Sequence, residues 1–252
     1  MSVRNIVRNL FNPSYVPVMV GKMGTRVVDF FNPPDVAKWT EWARQRSGDA
    51  AALAESLDEA LWQESLQFAE ELRVEAKQRL APLGVHLGGG GHYELLYFFT
   101  RLRRPQVVVE TGVAAGFSSR AILEALERNG EGHLYSTDFP YFRLEDPERF
   151  IGMLVEDHLR HRWTLHKRGD QPGLAEITSK VSRIDLFHYD SDKRYAGRAR
   201  AYEAVRSLLH KDSVLLMDDI QDDAFFHDLV EGREDPWQVF EFEGKFLGLI
   251  GQ

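Results

Sequence analysis

Downstream of Pro105, short runs of Val, Ile, Leu and Phe alternate with longer segments whose apolar residues recur every three or four positions. The runs predict strands at 107–111, 133–138, 163–167, 184–190, 213–218, 238–243 and 246–250, with helices between the first six. Alternation of this kind predicts a mainly parallel sheet with helices on both faces. The last two strands are split only by Gly244 and Lys245. No helix fits there, so they predict an antiparallel hairpin closing the sheet. The expected fold is α/β, a seven-stranded mainly parallel sheet with a C-terminal hairpin.

The N-terminal third reads differently. Asn12-Pro13, Pro17 and Asn32-Pro33-Pro34 break the first 45 or so residues into an irregular arm with short helices. From 49 to 80, Leu53, Leu57, Leu61, Phe68, Leu72 and Leu80 recur among charged residues at near-helical spacing, until Pro82 and Gly84 end the pattern. This predicts an amphipathic helix whose stripe packs on the main domain or on a second subunit. Gly88, Gly89, Gly90 and Gly91 then precede His92 and a short helix over 93–102. Four glycines are costly to order, which suits a mobile loop or a loop edging a ligand. The chain thus divides into a helical extension, 1–85, and an α/β domain, 86–252.

Composition narrows the classes. The net charge of −8 argues against general nucleic-acid binding. One basic stretch, Arg4, Arg8, Lys22 and Arg26, precedes the first acid, Asp29, and reads as a solvated or subunit-packing arm, or as a contact for an acidic surface. No apolar run is long enough to span a membrane, and the N-terminus lacks a signal-peptide pattern. Cysteine is absent, which excludes disulfides, thiolate metal sites and cysteine nucleophiles and fits a cytoplasmic location.

The candidate chemistry lies at strand ends, where open α/β sheets bind ligands. The segment VVVETGVAAGFSS, 107–119, runs from a strand through Gly112 and Gly116 into a helix. It lacks both the dinucleotide glycine fingerprint and a P-loop lysine. Glu110 on the strand disfavours pyrophosphate and favours a cation or hydroxyl donors. S-adenosylmethionine, a dinucleotide and plain turn packing all remain open at this point. Asp138 ends the next strand, where an acid can accept both ribose hydroxyls without choosing the cofactor. Asp170 and Gln171 follow the third strand and could reach an adenine edge. Asp190, Asp218 and Asp219 end the next two strands. Converging carboxylates there would require a cation or a proton between them, which suits Mg²⁺; helix capping is the simpler alternative. Asp192 reads as a cap or salt-bridge partner. Lys193, near the presumed cation, could have a lowered pKa and act as a base, or be a solvated surface lysine. His188 reads as a packed strand residue or, as the alternative, one facing the site, and His92 on the glycine loop carries the same two readings.

Together, ETGVAAGFSS, LYSTDF, IDLFHYDSDKRY and SVLLMDDI resemble, in order and spacing, class I S-adenosylmethionine-dependent methyltransferases with a Rossmann-like fold. The resemblance is to the divalent-cation-dependent O-methyltransferases of the catechol and caffeoyl-CoA type and to bacterial relatives acting on natural-product sugars, and it covers about 88–252. It implies that Glu110, Gly112, Gly116 and Ser118 line the methionine and ribose side of the cofactor, Asp138 binds the ribose, and Asp170 and Gln171 edge the adenine. It implies Asp190, Asp218 and Asp219 as metal ligands, Lys193 as catalytic base with Asp190 in the catalytic set, and a small-molecule or sugar hydroxyl as acceptor. Asp219 stands where catechol-type enzymes have asparagine, and sugar-type relatives often carry histidine at the Lys193 position. A homo-oligomer through the helical extension is expected. A nicotinamide-dependent oxidoreductase and a catalytically silent assembly protein are the alternatives.

Overall fold

The computed structural model describes residues 35–85, 87–142 and 144–251, with Asn5, Arg8, Asn9, Phe11 and Tyr15. Of the basic N-terminal stretch, Arg4, Lys22 and Arg26 lie outside the described residues. In chain order the elements are α1 (Val36–Arg46), β1 (Ser47–Gly48), α2 (Ala50–Leu80), α3 (Tyr93–Arg103), β2 (Val107–Thr111), α4 (Phe117–Asn129), β3 (His133–Thr137), β4 (Trp163–His166), α5 (Asp170–Thr178), β5 (Ile184–Tyr189), α6 (Tyr195–Val205), β6 (Leu209–Met217), α7 (Phe225–Val230), β7 (Trp237–Phe242) and β8 (Lys245–Ile250).

The strands form one sheet in the order β1-β7-β8-β6-β5-β2-β3-β4. It has eight strands rather than the expected seven. The extra one, β1, is two residues long and pairs parallel with β7, too short to leave a periodic signal. The core from β6 to β4 is parallel, and β8 runs antiparallel to both β6 and β7. Glu243 and Gly244 form the hairpin turn, both with positive φ, as the right-handed twist of a tight hairpin requires. The link between β3 and β4 holds turns and a 3₁₀ segment, Asp157–Arg162, instead of the expected helix. Pro140, Pro147 and Gly152 break helical continuity there.

Alternate strand residues bury against opposite layers. Val108, Leu186 and Leu216 join Leu96, Phe99, Ile122 and Leu126 on one face. Val109, Phe187 and Leu215 join Leu174, Ile177, Ala201 and Val205 on the other. Each such fully buried Leu or Phe contributes about 1.5–3 kcal/mol. Ala54 and Trp62 of α2 belong to the first cluster, so the stripe of the extension is spent on the sheet's own core. The 49–80 helix is interrupted at Asp58, which leaves helical φ/ψ and accepts from the Leu61 amide at 2.9 Å, starting a second helical run. The interruption turns Leu57 outward, away from the stripe the sequence suggested. Among the described residues no helix is long and apolar enough to cross a membrane.

One carboxylate sets the register of the central strands. Asp185 of β5 accepts from the Gln106 and Val107 amides at 2.9 Å each, and from His210 Nε2 at 3.0 Å. Arg183 caps it from outside. Burial pushes the Asp185 pKa up, but the Val107 amide, Arg183 and His210 outweigh it, and the net direction is down. A depressed carboxyl contributes stability above its unfolded pKa and loses it as pH falls through the folded one. Asp185→Ala is expected to cost about 1–3 kcal/mol at neutral pH in urea unfolding. The gap to wild type should close as pH is lowered below the usual carboxylate range; a gap unchanged by pH would contradict the assignment.

Candidate functional site

Gly112 follows β2 with φ +83°, and a Cβ there would collide with the Asp190 carbonyl oxygen beyond β5. The Asp190 amide in turn donates to the Thr111 carbonyl at 2.9 Å. Gly116, with φ +101°, caps α4, and a Cβ on it would lie 2.9 Å from Gly152 Cα. Both glycines therefore permit close backbone approach. The covering segment is held by Gly152 and Leu154 amides donating to the Ala114 and Ala115 carbonyls at 2.9 and 3.0 Å. The Asn9 side chain donates to the Phe142 carbonyl and the Tyr15 hydroxyl to Glu148, fastening the N-terminal residues to the same segment.

Glu110 is completely buried. Its carboxylate accepts from the hydroxyls of Ser118, Ser119 and Ser136 at 2.6, 2.5 and 2.8 Å. The hydroxyl donors for this acid come from the protein itself. His188, also fully buried, brings Nδ1 to 3.5 Å from Glu110 without hydrogen-bond geometry. Burial pushes the imidazole pKa down, but Glu110 and then Asp218 and Asp190 push it further up, so the net shift favours imidazolium.

Asp138 lies where expected, at the end of β3, and is 8% exposed. It accepts from the Val113, Ala114 and Phe139 amides at 3.1, 2.7 and 2.6 Å, bracing the glycine turn. Burial raises its pKa to about 6 against those amides, with Asp170 adding to the rise. Asp170 begins α5 and accepts from the Thr137 and Ser191 hydroxyls, tying three strand ends together. Gln171 is exposed beside it.

The acids beyond β5 and β6 divide into two sets. Asp190 and Asp218 form no ion pair among the described residues, and the Asp218 Oδ2 is buried without a hydrogen-bond partner. Burial raises both pKa values; Asp190 raises that of Asp218 further, and Asp219 raises both. Asp219, in a left-handed conformation at φ +53°, turns its carboxylate to Lys193 and, at 3.4 Å, to Lys245. Burial is overcome by Lys193 first and Lys245 next, so its pKa falls. The fold brings Asp190, Asp218 and Asp219 to the same sheet edge, with the Asp219 carboxylate turned to the lysines. Burial pushes the Lys193 pKa down, but Asp219 raises it more and the net direction is upward. Asp192 pairs with Arg194 at 2.7 Å.

Sequence reasoning did not single out Arg198. Fully buried in α6, it donates to the Asp218 and Asp219 carbonyls at 2.8 Å each and to Asp223 at 3.2 Å, fixing the backbone that carries the acids. Its one sequence signal is the break it makes in the apolar face of α6. Beside the acids is a cavity of about 390 Å³, lined by the four glycines, Lys193, Asp218, Phe242, Lys245 and neighbouring hairpin residues. A Cβ on Gly91 would collide with the Asp218 carboxylate, so the tetraglycine run is a wall of this cavity.

Residues 109–220 match a family model described as a methyltransferase domain, a span containing every strand-end acid above. No curated protein matches the sequence. Among solved structures, the O-methyltransferase TomG from Streptomyces achromogenes, involved in tomaymycin synthesis and in complex with SAM, superposes with a TM-score of 0.55 at 17% identity, covering 75% of this chain and 96% of its own. A methyltransferase from Geobacter sulfurreducens gives 0.54 at 19%, covering 72% and 90%. The O-methyltransferase from Bacillus cereus in complex with SAH gives 0.54 at 14%, covering 83% and 100%. The resemblance to class I methyltransferases is thereby borne out, the structures speaking for the fold.

The Glu110 network yields a direct check. Glu110→Gln removes the charge that three hydroxyls donate to, with an expected loss of about 1.5–3 kcal/mol in urea unfolding. Unchanged stability would mean that the carboxylate does not hold the strand ends together.

Proposed function

We propose that the protein is an S-adenosylmethionine-dependent methyltransferase acting on a hydroxyl of a small molecule or sugar. The observation that carries this reading is one edge of the sheet. Within the stretch matching a methyltransferase domain, the glycine turn after β2, Asp138 after β3 and the acids after β5 and β6 share that edge. The SAM and SAH named with the structural neighbours support the same cofactor.

In this reading Asp138 accepts the ribose hydroxyls, the loop 112–116 backs the methionine end, and Gln171 edges the adenine. Glu110 and Ser118 act from behind the loop, by fixing its strand and helix, and Asp170 by joining β3, α5 and the turn after β5. Transfer breaks the sulfonium S–CH3 bond and forms O–CH3, while the acceptor oxygen gives up its proton. The sulfonium charge is lost as the methyl moves, so a partly anionic oxygen is the favoured nucleophile. Lys193 and Lys245, held as ammonium ions by Asp219, are placed at the cavity to stabilise that developing charge.

A divalent cation such as Mg²⁺ fits Asp190 and Asp218, whose burial beside Asp219 calls for a positive charge and of which Asp218 has an unpartnered Oδ2. Asp219 is committed to the lysines and is not counted with them. When bound, such an ion would lower the acceptor hydroxyl's pKa.

Calorimetric titration tests the cofactor assignment against the nicotinamide alternative, whose glycine fingerprint is missing. S-adenosylmethionine should bind and NAD should not. Asp138→Ala should weaken binding about 10- to 100-fold through loss of charge-assisted bonds. Because the Asp138 carboxyl is raised to about 6, wild-type affinity should fall as pH drops below that value. Binding of NAD, or an Asp138→Ala variant with undiminished affinity and intact thermal stability, would overturn the reading.

A further inference from the structure

Near the start of the sequence Val3, Ile6, Val7, Leu10 and Phe11 recur at i, i+3, i+4, i+7 and i+8, with Arg4, Asn5, Arg8 and Asn9 between them. On a helix that spacing separates an apolar stripe from a polar one. Asn5, Arg8 and Asn9, all of the polar stripe, are helical, and the Phe11 amide donates to the Arg8 carbonyl at 3.2 Å. The polar stripe is the side that meets the protein. Asn9 is 8% exposed and its side chain donates to the Phe142 carbonyl at 2.9 Å. Arg8 pairs with Glu145 at 3.0 Å. Phe11, from the apolar stripe, is instead 83% exposed. Among the described residues no other large apolar side chain passes 49%, the value at Val74. A helix that served only to fasten the segment beneath it would bury its apolar residues and leave its asparagines in water. Asn9 and Phe11 show the reverse.

Charge points to the occupant of this stripe. The first 28 residues hold Arg4, Arg8, Lys22 and Arg26 and no acid, in a chain of net charge −8. We propose that this stretch is a surface anchor whose apolar stripe turns away from the domain and lies in the interface of a bilayer with acidic headgroups. In such an anchor the apolar side chains enter the boundary between headgroups and acyl chains, and arginine and lysine meet the anionic headgroups. Arg8 is engaged by Glu145, so the attraction falls to Arg4, Lys22 and Arg26. A second copy of the chain fits the stripe less well, because it would have to offer an exposed apolar face in return. Among the described residues the other exposed large apolar side chains, Val36, Leu57, Leu66, Val74 and Tyr195, are spread over α1, α2 and α6. The anchor sits on the segment covering the proposed cofactor site, to which Asn9 and Tyr15 fasten it. It does not depend on the chemistry assigned to the sheet edge.

The test is sedimentation of the full chain with vesicles of phosphatidylcholine alone and of phosphatidylcholine with about 30% phosphatidylglycerol. The chain should pellet with the acidic vesicles only, and about 0.5 M NaCl should release most of it by screening the basic residues. Phe11→Asp should cut the bound fraction at least about fivefold, and Arg4→Glu combined with Lys22→Glu should do the same. Phe11→Ser, which adds no charge, should also lower it. Thermal unfolding of the two Phe11 variants should match wild type, because that side chain stands in solvent. Equal sedimentation with both vesicle types, none with either, or acidic-vesicle binding that survives both Phe11 variants would overturn the proposal. A dimer in analytical ultracentrifugation that Phe11→Asp splits, without vesicle binding, would also overturn it and give the stripe to a second copy.

Discussion

Negative charge buried at one edge of the sheet is the constraint on which the remaining structure depends. Glu110, Asp218 and Asp219 are all at or below 4% exposure, and Asp190 stands beside them. Carboxylates packed so closely are tolerated only where protons, cations or directed donors offset them. Each acid here has a different compensation. Three serine hydroxyls and His188 serve Glu110. Two lysines serve Asp219. Asp190 and Asp218 have only the field of their charged neighbours.

The backbone around these acids is correspondingly tight. β2 and β5 approach so closely after Thr111 that only glycine fits at 112. Arg198 clamps the turn carrying Asp218 and Asp219 from beneath, while Gly91 closes on Asp218 from above. The segment around Gly152 is hydrogen-bonded to the glycine turn and is itself held by Asn9, Tyr15 and Arg79. The helical extension therefore shares a core with the sheet and also fastens the cover of the proposed cofactor site.

Much of this was legible in the sequence because strand periodicity and strand-end acids are local signals. The seven longer strands, the hairpin and the positions of Asp138, Asp190 and Asp218 follow from runs of four to nine residues. What escaped depends on tertiary context. A two-residue strand has no period, and the interruption at Asp58 looks like any other polar position on a helix. The direction of the Glu110 carboxylate is decided by serines on α4 and β3, far apart in sequence. The charge state of Lys193 is decided by Asp219, which the sequence grouped with the metal ligands rather than with the lysines. Arg198 and Lys245 matter only because folding brings α6 and the hairpin to the acids.

The account's central claim is that this edge is a nucleoside site joined to a cation site built on two carboxylates. A crystal structure of the protein with S-adenosylhomocysteine and millimolar Mg²⁺ tests it most directly. The ribose hydroxyls should meet Asp138, and an ion should touch both Asp190 and Asp218 while Asp219 stays with Lys193 and Lys245. A nucleoside bound away from Asp138, or an Asp190–Asp218 pair with no ion between them, would contradict it.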